Sequence, residues 1–150
     1  MGNDFFAFSN NYFSLYKTVF LSPPKKMQTQ ILIGLFICHW LADYTHLSTA
    51  WMLNAKRFGK PLFPIFIHAA THTILMSVIL AWFIGITNAW AYLLIFQLVT
   101  HFLIDTWKGK MNVWFPELQS PSNKSYWVMF GFDQLLHAIV IVLMSLYAVS

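Results

Sequence analysis

Four stretches of the chain stay apolar long enough to cross a bilayer, at about 27–47, 62–87, 89–107 and 126–148. A spanning helix needs roughly 20 mostly apolar residues, so each stretch predicts one transmembrane helix. Turn residues separate them: Asn54, Gly59, Pro61 and Pro64 after the first, Thr87-Asn88 after the second, and Gly109, Pro116 and Pro121 after the third. The pattern predicts an all-α, polytopic membrane protein whose domain 25–150 is a four-helix transmembrane bundle. Ahead of Pro23-Pro24, residues Phe5, Phe8, Tyr12, Tyr16 and Val19 recur at helical spacing. They predict a separate aromatic helix over 1–24, lying among the lipid headgroups. A removable signal peptide fits this segment less well, because its basic residues follow the apolar stretch instead of preceding it.

Composition agrees: the chain is 58% apolar, 19% aromatic and only 9% charged, where soluble domains carry about 25% charged residues. Nine Lys and Arg against five Asp and Glu leave +4, without a basic run long enough for nucleic acid. The bilayer and its anionic headgroups are the expected partners, with a homo-oligomer left open. Lys56, Arg57, Lys60, Lys108, Lys110 and Lys124 lie on one side of the predicted spans and Lys17, Lys25 and Lys26 on the other. That excess puts loops 48–61 and 108–125 in the cytoplasm, with a bacterial inner membrane as the expected location. The single cysteine, Cys38, excludes a disulfide framework and a cysteine-based zinc knuckle.

Three of the five acids fall inside predicted spans, each four residues from a histidine: His39 with Asp43, His101 with Asp105, and Asp133 with His137. The second span adds His68 and His72, so every helix presents two such groups on one face, one turn apart. Alternating chain direction sorts them by depth. His39, His72, His101 and His137 fall on one level, and Asp43, His68, Asp105 and Asp133 about 6 Å nearer the basic loops, four residues at 1.5 Å rise. His39-x-x-x-Asp43 is echoed by His101-x-x-x-Asp105, and His68-x-x-x-His72 by Asp133-x-x-x-His137. The echoes suggest a duplicated hairpin with a pseudo-two-fold axis along the membrane normal.

An aspartate at the centre of a spanning helix opposes insertion by about 2.5–3.5 kcal/mol. No Lys or Arg lies within the predicted spans, and only Lys108 and Arg57 are placed to reach in from the rim, which leaves histidine or a metal ion as partners. Interhelical hydrogen bonds contribute about 0.6 kcal/mol on average, whereas structural zinc binds with roughly 10–16 kcal/mol. A nitrogen and oxygen set without thiolate suits zinc first, with manganese, iron or nickel also compatible. The expected ligands are His39, Asp43, His72, His101, Asp105 and His137, with Asp133 or His68 as general base. Lys56, Arg57, Lys108 and Lys110 are expected to gather anionic headgroups, Gln97 and Gln134 to hold ligands or bridge helices, and His46 to sit at the interface. The function this predicts is metal-dependent hydrolysis of a lipid or phospholipid-like ester. A metal or proton relay, and a non-enzymatic protein with a structural Asp-His network, use the same residues.

At these positions the chain resembles a family of small bacterial and phage membrane proteins catalogued as domain of unknown function 3307. The resemblance is carried by His39-x-x-x-Asp43 followed by Trp51, by His68, by His101-x-x-x-Asp105 with Trp107-Lys108, and by Asp133-Gln134-x-x-His137, from about 31 to 140. It implies no established reaction. A Gln that often follows the family's first motif is absent here, where Thr45 and His46 stand. At the level of class alone, the His-x-x-x-Asp pairs are similar to those of membrane-bound metal-dependent hydrolases and zinc phospholipases C.

Overall fold

The computed structural model describes residues 23–150, so the aromatic segment expected ahead of Pro23 lies outside the described residues. Among them are five α-helices and no strand: α1 (Pro23–Tyr44), α2 (Ala50–Phe58), α3 (Leu62–Ile84), α4 (Asn88–Trp114) and α5 (Lys124–Tyr147), with a 3₁₀ turn at Pro116–Gln119. Helices α3, α4 and α5 are long and apolar enough to cross a membrane. Helix α1 carries Lys25, Lys26, Gln28 and Gln30 near its start and is not among them. The chain is therefore all-helical and compatible with a membrane protein.

The four long helices close into a ring in which α1 packs on α3, α3 on α4, α4 on α5 and α5 on α1. Short connections make neighbours antiparallel. Cys38 Sγ of α1 donates to the Leu75 carbonyl of α3 at 3.5 Å, and Trp90 Nε1 of α4 donates to the Ser77 carbonyl of α3 at 3.1 Å. At the α3–α4 turn the Thr87 hydroxyl caps α4 by accepting from the Trp90 N–H at 3.2 Å.

One half of the ring is filled with aliphatic and sulfur side chains: Ile31, Leu35 and Cys38 of α1, Met76 and Leu80 of α3, Leu93 of α4, and Val140, Ile141 and Met144 of α5. The other half holds the histidines and acids. Outward faces carry Ile33, Trp40, Ile74, Trp82, Ile95 and Leu143, all exposed. This large apolar exterior suits lipid contact.

Two expectations about the connections need correction. Region 48–61, expected as a loop, contains α2. Its N-cap Thr49 accepts from the Met52 N–H at 3.4 Å, and Gly59 closes it in the left-handed conformation at φ 63°. Met52 and Ala55 are buried, so α2 covers one end of the ring, packed on α3 and α4. Helix α4, expected to end near Trp107, continues to Trp114. Its extra turns receive α2: Asn112 Nδ2 donates to the Arg57 carbonyl at 3.1 Å. A Cβ on Gly109 would meet the Gly59 backbone and lie 2.5 Å from the Lys56 carbonyl oxygen. Only glycine at 109 permits that approach.

Candidate metal centre

Each long helix delivers its pair of ionisable side chains to the interior because positions four apart share a face. The four histidines expected at one level form a connected layer. Ring centroids lie 4.8 Å apart for His39–His72, 3.9 Å for His72–His101, 4.3 Å for His101–His137 and 5.1 Å for His137–His39. Beneath them, toward α2, lie Asp43, His68, Asp105 and Asp133. Asp43, the most accessible of the three acids, is largely covered; His68, Asp105 and Asp133 are essentially inaccessible. Each side chain comes from an expected position.

The duplicated hairpin is visible in the distances. His39 Nε2 to Asp43 Oδ2 is 3.4 Å, and the echo from His101 Nε2 to Asp105 Oδ2 is 3.3 Å. His72 Nε2 to Asp43 Oδ1 is 3.4 Å, and His137 Nε2 to Asp105 Oδ1 is 3.5 Å. The two-fold relation fails in chemistry at one place, where His68 stands opposite Asp133.

The expectation that no lysine but Lys108 reaches the carboxylates is corrected by Lys56. From α2 its Nζ extends into the cluster, 3.2 Å from Asp43 Oδ1, 3.3 Å from Asp105 Oδ1 and 2.9 Å from His68 Nε2. Lys108 Nζ donates to Asp133 Oδ2 at 2.8 Å and lies 5.3 Å from the centre of the Phe130 ring. Their side chains are 13% and 20% exposed, and both ammonium groups are engaged by carboxylates of the cluster while lining the cavity beside it. Burial pulls the Lys56 pKa down, but Asp105, Asp43 and Asp133 outweigh it and hold the ammonium above its ordinary value. Arg57 and Lys110 are exposed, as headgroup contacts require, and so is His46. Cys38 is buried in the apolar half.

The donor atoms fit a metal ion. His39 Nε2, His101 Nε2, His137 Nε2, Asp133 Oδ1 and both Asp105 oxygens are buried without a hydrogen-bond partner, which native interiors seldom leave. Their approaches to charged neighbours have ion-pair distances but not hydrogen-bond angles. Four sets of three offer one donor each within 4.8 Å of one another: His39–His72–His101, Asp43–His68–His72, His68–His101–Asp105 and Asp105–Asp133–His137.

Gln97, one turn before His101, is a supporting residue of the kind metal-bound histidines need. Its Nε2 lies 3.3 Å from His101 Nδ1 while its Oε1 is buried and unpartnered. With the two amide ends exchanged, Gln97 Oε1 accepts from His101 Nδ1–H and the His101 Nε2 lone pair stays free.

A cavity of about 470 Å³ runs from the α2 end down to the acid layer, lined by Tyr44, Arg57, Tyr126 and Phe130 at its walls and by Asp43, Lys56, Lys108 and Asp133 where it meets the cluster. The cavity meets the acid layer at Asp43 and Asp133 from the end that carries α2, and no histidine lines it.

No curated protein and no solved structure matches the chain. A family model described as protein of unknown function (DUF3307) matches residues 31–150. That match covers the ring, the centre and the cavity, and with them most of the sequence. The chain belongs to the DUF3307 family.

Proposed function

We propose that the protein is integral to a bacterial inner membrane, with α1 as a fourth span, and that its centre binds a divalent metal, zinc first among the candidates, and hydrolyses a lipid or phospholipid-like ester. The fourth span is supported by the equal place of α1 in the ring and by its outward Ile33, Phe36, Ile37 and Trp40. The basic loops then face the cytoplasm; labelling of a cysteine at position 58 from the opposite side would overturn that orientation.

The observation that carries the hydrolase reading is the set of buried, unpartnered donors next to a cavity that one of them, Asp133, lines together with Asp43. A purely structural network would satisfy those atoms. A transport path would have to continue through the other half of the ring, where Leu35, Met76, Leu80 and Met144 are fully buried.

A bound divalent ion lowers the pKa of a water toward about 7 and polarises the ester oxygen. Asp133 lines the cavity with Oδ2 held by Lys108 and Oδ1 without a hydrogen-bond partner, which suits a general base. His68 suits that role less, because its Nε2 is already engaged by Lys56 Nζ at 2.9 Å and by Asp43 Oδ1 at 3.1 Å. Arg57 and Lys110, exposed near the α2 end, attract anionic headgroups.

The test is release of headgroup or fatty acid from phosphatidylethanolamine–phosphatidylglycerol vesicles by zinc-loaded protein. Asp133→Asn is expected to slow release about 10²–10⁴-fold with metal content retained. Absence of release by the zinc-loaded parent would sink the hydrolase reading.

A further inference from the structure

The twin hairpins supply twin ligand sets, and each already holds a cation from the chain itself. Asp43–His68–His72 and Asp105–Asp133–His137 are counterparts under the pseudo-two-fold relation, and both offer converging donors. Lys56 enters the first, on Asp43 and His68, and reaches Asp105 of the second. Lys108 binds Asp133 of the second. The set His68–His101–Asp105 contains two of the groups that Lys56 touches. One set of the four, His39–His72–His101, has no member hydrogen-bonded to either lysine; within it His72 Nε2 is engaged by His68 Nε2 at 3.2 Å, and its Nδ1 is buried without a partner.

Resting on the metal-centre reading above, we infer that the site holds one metal ion, in the histidine layer, and that the Lys56 ammonium fills the position of a second. Three arguments converge. The first is donor chemistry. A lysine ammonium has three N–H donors and no acceptor; Lys56 Nζ donates to Asp43 Oδ1 at 3.2 Å, lies 2.9 Å from His68 Nε2 and forms an ion pair with Asp105 Oδ1 at 3.3 Å. His68 Nε2 also lies 3.1 Å from Asp43 Oδ1, so it either accepts from Lys56 or donates to Asp43, and in both cases has no lone pair to offer an ion.

The second argument is charge. With neutral histidines, three carboxylates against two ammonium groups leave one negative charge in the cluster. One divalent ion reverses that to a single positive charge, which matches a monoanionic phosphodiester. A second divalent ion in place of the Lys56 ammonium would raise that to two positive charges in a low-dielectric interior, a larger self-repulsion.

The third argument is architecture. Lys56 is not placed by a flexible loop. Its carbonyl lies against the position of Gly109, its neighbour Arg57 accepts from Asn112, and α2 is capped at both ends. The backbone that carries the ammonium is fixed to α4, so the ammonium is a built part of the centre.

The experiment is zinc titration of the full chain in detergent, with metal counted after removal of loosely held ions. The parent is expected to retain one zinc per chain, Lys56→Arg one, and Lys56→Gln two. His39→Ala should retain none, and Asp43→Asn one, which places the ion in the histidine layer. Two zinc ions per parent chain would overturn the inference while leaving the metal-centre reading standing. No zinc in the parent would remove both. A folded Lys56→Gln that still binds one would also overturn it. If that variant does not fold, the count in the parent and in His39→Ala decides.

Discussion

Around Ile31, Leu80 and Met144 the interior of the helical ring is aliphatic and sulfur-rich, whereas around His39, Asp105 and His137 the same four helices enclose imidazoles, carboxylates and ammonium groups. The two halves face the same surroundings but must hold together by different means. In the proposed bilayer setting, apolar side chains gain nothing by leaving water, so the apolar half depends on close packing between helices. The polar half has no such recourse: every unpaired charge in it opposes the fold. Its stability depends on cations, two from lysine and, in the proposed reading, one from a metal. The halves should therefore respond to different perturbations.

The largest expected effect separates them directly. In the polar half, His101→Ala removes a fully buried imidazole, proposed as a metal ligand, that lies 3.3 Å from Asp105 Oδ2. Breaking a buried charged network costs about 3–5 kcal/mol, and loss of the metal adds to it. The thermal transition of His101→Ala should fall to that of the chelator-treated parent, and chelator should lower it no further. In the apolar half, Leu80→Ala should cost about 2–5 kcal/mol through the cavity it leaves, with chelator sensitivity unchanged. Thermal scans with and without chelator measure both. Equal chelator sensitivity of His101→Ala and the parent would show that the halves are not held differently.

The same contrast explains what could be read from the sequence. Spacings of four at His39, His68, His101 and Asp133 dictate which side chains share a face, because helix geometry does so without tertiary information. The four-histidine layer, the acid layer and the echo of the two hairpins were legible for that reason. Lys56 was not. A basic residue between spans ordinarily faces headgroups, and its entry into the cluster depends on α2, hidden among Asn54, Gly59 and Pro61. The signals for α2 were nevertheless present: Thr49 as a cap, Met52 and Ala55 one turn apart, and Gly59 as a left-handed stop. The continuation of α4 past Gly109 was masked by a glycine that reads as a helix end. It is there because α2 needs to pass close by.

Gly109→Ala tests that joint and should have the next largest effect. Overpacking a tight contact costs about 1–3 kcal/mol, and here the added methyl meets backbone, which has no rotamer to give, so the upper end applies. The damage should be local to the polar half. Displacing α2 moves Lys56 away from Asp43 and Asp105, so the variant should lose stability near 3 kcal/mol and bind zinc differently from the parent. Helical content should be unchanged by far-ultraviolet circular dichroism. A Gly109→Ala protein as stable as the parent, with the same zinc count, would show that α2 is loosely seated and that Lys56 does not depend on it.

The smallest effect concerns Gln97, which lies on α4 between the two halves, four residues above His101 and one turn below the buried Leu93. If its amide accepts from His101 Nδ1–H, it fixes the tautomer in which Nε2 points a lone pair at the metal. Outer partners of this kind contribute 10–100-fold to metal affinity, about 1.4–2.7 kcal/mol. Gln97→Leu keeps the volume nearly constant and removes the acceptor, so zinc affinity should fall by that factor while the metal-free thermal transition stays close to the parent's. Gln97→Glu restores an acceptor at the same reach and should recover affinity. A variant that destabilises the metal-free protein as much as the loaded one would place Gln97 with the packing half of the ring instead. Affinity measured by competition with a zinc indicator, set beside metal-free melting, decides which half this residue serves.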